Sequence, residues 1–168
     1  AADDALVQFL ERADSIIEGF GRVRYSTTVD GFRRYGDPTT ARPKLLVIGD
    51  SQTQARMVSD GETYFDYIAA HGNAEVFAHG TGGYGTLQEY MVLDRHIDRI
   101  DPDIVLWQFC GNDPMNNLFD LEASSVVNNQ MTRPYLENGK IVYRYPHPSW
   151  LFRNLVRESY LLRFIGLR

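Results

Sequence analysis

Three short clusters in this chain carry the residue types that acyl-transfer chemistry uses. Gly49-Asp50-Ser51-Gln52-Thr53 sets a serine hydroxyl in a turn. Gly80-Thr81-Gly82-Gly83-Tyr84-Gly85-Thr86 offers backbone N–H groups with no side chain in the way, and Cys110-Gly111-Asn112-Asp113 supplies a carboxamide. A serine hydroxyl is a weak nucleophile and needs a neighbouring base. A glycine N–H can come close to a developing oxyanion because no Cβ intervenes. An asparagine amide is a neutral donor, and removing one such donor from an oxyanion site raises the barrier by roughly 3 to 4 kcal/mol. Each cluster alone also has a plain reading. Gly-Asp-Ser can be turn chemistry with an N-cap, the glycines a tight turn, and Asn112-Asp113 a loop closed by side-chain to backbone bonds.

The elements that must position these groups follow from periodicity. Residues 3–19 space Leu6, Val7, Phe9, Leu10, Ala13, Ile16 and Ile17 as a helix does, and Gly19 would stop it. A polar stretch over 25–43 follows. Residues 44–48 are a short continuous apolar run, as expected of a strand buried on both faces of a parallel sheet. Helical potential over 57–71, a second strand over 75–78, a helix over 87–100 and a third strand over 104–109 come next. That second helix would bury Leu87, Tyr90, Leu93, Ile97 and Ile100 on one face, and Asp101-Pro102-Asp103 would end it. Strand, helix, strand, helix, strand implies an α/β fold: a parallel sheet with helices on both faces. In such sheets ligands bind beyond the carboxyl ends of the strands. Each of the three clusters follows a strand at that edge.

Further on, Arg133-Pro134-Tyr135-Leu136 and Lys140-Ile141-Val142-Tyr143 flank Glu137-Asn138-Gly139, a hairpin signal because Asn and Gly tolerate positive φ. Residues 150–165 read as a closing helix, with Arg153, Arg157 and Arg163 on its polar face. No linker divides the chain, so one domain over 1–168 is expected, with an insertion over 120–148.

Together and in this order, the clusters resemble the SGNH/GDSL hydrolase superfamily. Its members carry a nucleophilic serine in a Gly-Asp-Ser block, a glycine after the second strand, and an asparagine in a Gly-x-Asn-Asp-like block after the third. The resemblance covers roughly residues 30–145. It implies a flavodoxin-like three-layer fold and a serine esterase or acyl hydrolase acting on an oxygen or thio ester through an acyl-serine intermediate. Ser51 would be the nucleophile, and the N–H groups of Ser51 and Gly83 with the Asn112 amide would form the oxyanion hole. Asp50, His79 and Asp113 stand beside these groups and are further candidate contributors, with Asp50 holding the loop that presents Ser51. No metal or organic cofactor is implied, and the substrate would be a small-molecule or carbohydrate ester.

The chain departs from the superfamily in its acid–base pair. The Asp-x-x-His block expected near the C-terminus has no counterpart over residues 99–168. His96 reads as a surface residue of a crossover helix, His71 as a helix-closing residue, and His147 as part of a constrained Tyr-Pro-His-Pro loop. His79 alone falls near the correct edge, and a structural or substrate-contacting role fits it better than catalysis. The expectation is a natural protein that continues past Arg168 to supply the base. The present chain would then be weakly active or inactive, with an exposed sheet edge open to pairing with another copy.

Composition narrows the classes further. Among 168 residues, 17 Lys and Arg against 22 Asp and Glu give a charge of −5, and no stretch concentrates enough cations to track a phosphate backbone. One cysteine excludes an internal disulfide. No apolar run approaches the roughly 20 residues of a membrane span. The opening residues lack the pattern of a signal peptide, and the compartment stays open. Two rivals remain. One is a non-catalytic SGNH-like module that binds a glycan or acyl group. The other is a dinucleotide-binding domain, because Gly80, Gly82 and Gly85 satisfy G-x-G-x-x-G between a strand and a helix.

Overall fold

The computed structural model describes residues 9–17, 21–125 and 131–145. The chain divides into two compact units. The first, residues 1–84 with 88–110, is built on a four-stranded sheet. Its strands are β3 (Phe32–Arg34), β4 (Lys44–Gly49), β5 (Glu75–Gly80) and β6 (Ile104–Gln108), ordered β3-β5-β4-β6. β4 runs parallel to both β5 and β6. The sheet is mixed rather than all parallel, because β3 pairs antiparallel with β5 through Phe32 opposite His79. β3 falls inside the stretch that reads as polar loop, and three residues are too few to show a period.

Alternation along the central strands sends side chains to opposite faces. Leu46, Ile48 and Phe77 join Phe32 and Ile100 in one wholly buried cluster, against which Tyr35, Val92 and Leu93 pack. Val47, Val76 and Ala78 form the other with Phe65, beside Ile68 and Ala69. The first cluster is covered by α3 (Thr86–Ile100) and the second by α2 (Tyr64–His71). Helices therefore lie on both faces, and the α/β character is as expected. The outer strand β6 differs from its neighbours: Ile104 is 59 % exposed and Leu106 42 % among the described residues.

Two expected helices change. Residues Phe9–Ile17 form a strand, β1, paired antiparallel with β2 (Gly21–Thr28), rather than part of a helix over 3–19. Residues 3–8 and 18–19 of that expectation lie outside the described residues. Helix propensity differs by only a few tenths of a kcal/mol per residue among such side chains, so a full antiparallel ladder with a β-branched partner overrides it. The helical potential over 57–71 is realised only from Tyr64 onward. Thr63 and Asp66 close a capping box there, and Gly61 at φ 87° bends the chain just ahead.

The second unit comprises residues 85–87 and 111–168. It contains α4 (Asp113–Asn117), α5 (Phe119–Ser124) and the hairpin β7 (Arg133–Glu137) and β8 (Lys140–Arg144). Asn138 and Gly139 take φ of 51° and 73°, the two positive values that a tight type I′ turn needs. The closing helix expected over 150–165 and His147 lie outside the described residues. Among those described, no helix is long and apolar enough to cross a membrane, and no cluster of His, Cys, Asp or Glu could hold a metal ion.

Candidate active site

Strand register brings the first two clusters to one edge. Gly49 of β4 stands opposite Gly80 of β5 and opposite Gln108 of β6, so the chain leaves all three parallel strands from the same rung. Directly beyond Gly49, Asp50 caps the one-turn helix α1 (Ser51–Gln54). Its wholly buried carboxylate accepts the Gln52 N–H at 3.0 Å and the Ser51 hydroxyl at 3.4 Å. Ser51 itself is exposed. The helix stops at once because Ala55 turns left-handed, at φ 48°.

The glycine loop after β5 packs on this turn. A Cβ at Gly80 would run into the Gln54 backbone nitrogen and the Asp50 carbonyl. A Cβ at Gly82 would sit 3.7 Å from the Ser51 Cβ, so this loop borders the hydroxyl. The Gly82 N–H is already used, donating to the Gln54 side-chain oxygen at 3.0 Å. Gly83 takes φ 80°, and no described group accepts from its N–H. Neither does any accept from the Ser51 N–H, the first of its helix. Two unspent donors and a hydroxyl thus lie on adjoining turns of one unit.

Asn112 and Asp113 belong to the second unit, at the start of α4. Asn112 makes no side-chain cap bond, and Asp113 is wholly buried. In the same unit a Cβ at Gly85 would press on Asn116 and Asn117. Asn117 accepts the Leu87 N–H at 3.2 Å and donates to the Thr86 hydroxyl at 3.0 Å.

A search of family models and of curated proteins finds no match for this chain.

The histidines take other roles. His71 ends α2, exposed, with Nδ1 3.0 Å from the Tyr67 carbonyl. His96 is buried, which corrects the surface role expected from sequence. The inward stripe of α3 is Glu89, Val92, Leu93, His96 and Ile100, whereas Tyr90 is 51 % exposed and Ile97 37 %. Leu93 and Ile100 face inward as expected, while Glu89 and His96 take the places expected of Tyr90 and Ile97, each one residue or about 100° round the helix. Phe32 receives the His79 and His96 rings edge-on, at 5.1 and 5.0 Å between centroids. His79 is therefore a core residue, and no described histidine accepts from Ser51.

Burial, followed by repulsion from His96, pulls the His79 pKa down to about 4, against smaller opposing effects of Asp30. Burial, followed by the Arg99 guanidinium, lowers His96 as well. An unfolded histidine titrates near 6.5, so between 6.5 and 4 the unfolded chain binds the extra proton. The His79 contribution is present in full above pH 6.5 and is lost as pH falls toward 4, by about 3 kcal/mol. Urea midpoints at pH 7.5 and 4 should show it. His79→Gln should flatten the dependence by that amount, and an unchanged slope would refute it.

Several residues that hold the site carry no sequence signal. Arg33, whose side chain is 1 % exposed, donates to the carbonyls of Gln54, Ala55 and Val58 and pairs with Asp60 at 3.1 Å. Gln108 Oε1 accepts from the Thr53 hydroxyl at 2.5 Å and from the Tyr64 hydroxyl at 2.8 Å, tying the end of β6 to the Ser51 turn and to α2. Burial raises the Tyr64 pKa, which keeps that phenol a donor.

Proposed function

We propose that the chain is the nucleophile-bearing part of a serine acyl hydrolase of SGNH/GDSL type, with a flavodoxin-like arrangement of its sheet. The observation that carries this reading is the rung shared by Gly49, Gly80 and Gln108, which sets the Ser51 turn against the Gly82-Gly83 loop. Ser51 Oγ attacks the acyl carbon of an oxygen or thio ester and gives its proton to a base outside the described residues. The carbonyl oxygen takes the charge, which the Ser51 and Gly83 N–H groups stabilise, and the resemblance to the superfamily assigns the Asn112 amide the role of a third donor. Collapse expels the alcohol or thiol, which takes up the proton, and water then releases the acid from the acyl-serine.

The glycines favour this reading over dinucleotide binding. In the fingerprint the second glycine opens the backbone to the pyrophosphate, and here that position, Gly82, faces the Gln54 side-chain oxygen, which already takes its N–H at 3.0 Å. The test is a fluorophosphonate probe on the protein as its gene encodes it. Labelling should fall on Ser51 and vanish in Ser51→Ala. Unlabelled Ser51 would leave the non-catalytic binding module as the better account. Asn112→Ala should slow ester hydrolysis by roughly two to three orders of magnitude, read as kcat on p-nitrophenyl acetate.

A further inference from the structure

Backbone bonds tie the Gly82-Gly83 turn at both ends. The Thr81 N–H reaches the Gly49 carbonyl at a long 3.4 Å, and Tyr84 N–H closes the turn on Thr81 at 3.1 Å. Gln54, three residues after Ser51, grips the loop through its bond from the Gly82 N–H. A backbone N–H can only donate, so this bond settles which end of the carboxamide faces the loop. The other end, Nε2, donates to the Tyr25 hydroxyl at 3.4 Å. The Tyr25 ring in turn lies under the Arg33 guanidinium, 4.3 Å from its centroid. Gln54 is thus held at both ends and joins the nucleophile turn to the loop beside it.

We propose that Gln54 is a positioning residue of the oxyanion hole: by taking the Gly82 N–H, it leaves the Gly83 N–H as the loop's donor beside Ser51 and fixes its direction. The inference rests on the acyl-hydrolase reading. An oxyanion exists only in the tetrahedral transition state and intermediate, so a misdirected Gly83 N–H lowers kcat and leaves ground-state binding nearly unchanged. Displacements of about 1 Å in such donors cost on the order of a hundredfold.

Gln54→Met keeps the length of the side chain and removes both bonds. Its kcat on p-nitrophenyl acetate should fall roughly ten- to a hundredfold, with KM within about twofold. Tyr25→Phe removes only the far bond and should stay within about threefold. Should Gln54→Met fail to fold, Gln54→Asn, whose carboxamide is withdrawn by one methylene, must show the same split. A folded Gln54 variant with full kcat would overturn the inference. An equal fall in Tyr25→Phe would do so too, since Gln54 would then act through β2 rather than on the loop. Fluorophosphonate labelling separates the two levels. Ser51 unlabelled in the unaltered protein overturns the hydrolase reading and this inference together, whereas labelled Ser51 with an indifferent Gln54 overturns the inference alone.

Discussion

Ser51→Ala is expected to lower ester hydrolysis by about four orders of magnitude or more while leaving the protein folded. The two halves of this expectation have separate causes. Loss of the hydroxyl removes the atom that forms the covalent bond, and the remaining donors stabilise only an uncatalysed attack by water. Stability barely changes, because Ser51 is exposed and its hydroxyl makes a single long bond to Asp50. Asp50 keeps its stronger bond from Gln52, so the cap survives. Exposed substitutions of this kind stay within about 0.5 kcal/mol. Activity measured on p-nitrophenyl acetate beside a thermal melt checks both. Hydrolysis that persists in the folded variant would move the nucleophile elsewhere.

The second large effect lies in the hairpin-bearing unit. Arg133 on β7 and Glu122 on α5 are both wholly buried, with Nε and Oε2 3.1 Å apart. The pairing is by charge and distance, since the Arg133 N–H groups find no well-aligned acceptor among the described residues. Tyr135 donates to the same Glu122 oxygen at 2.9 Å; burial first, and then this bond to a carboxylate, raises its pKa. Taking two charges out of water costs several kcal/mol each, and only their mutual attraction offsets it. Glu122→Ala should therefore cost about 3 to 5 kcal/mol in urea unfolding, because it strands the Arg133 charge. Glu137→Ala, which breaks the exposed pair with Arg144, should cost under about 1 kcal/mol. The double replacement Glu122→Leu with Arg133→Met should recover most of the loss. A Glu122→Ala variant no weaker than Glu137→Ala would refute the account.

Much of the frame was legible before any coordinates. Strands form where 44–48, 75–78 and 104–109 predicted them, the first because a continuous apolar run suits a strand buried on both faces, and α3 forms over 86–100 where its spacing predicted a helix, although Tyr90 and Ile97 face outward. Asn138-Gly139 announces its turn because only residues that accept positive φ can make it. These are short-range matters, decided by side-chain type within a few residues. The exposed outer strand β6 reads no differently from β4 in sequence, because periodicity carries no record of which strand lies at an edge.

By itself, then, the sequence determined the order of the elements and the residue types that follow each strand. Tertiary structure alone decided that Phe9–Ile17 is a strand, that β3 runs antiparallel, and that His79 and His96 meet over Phe32. It also decided that Gln54 holds Gly82 and that Arg33 braces the turn behind Ser51. The physical reason is distance along the chain. The partners stand from 4 to 64 residues apart, and all except those of the β1–β2 ladder are at least 21 apart. A local pattern records a residue's preference, whereas only the closed fold specifies which distant group satisfies it.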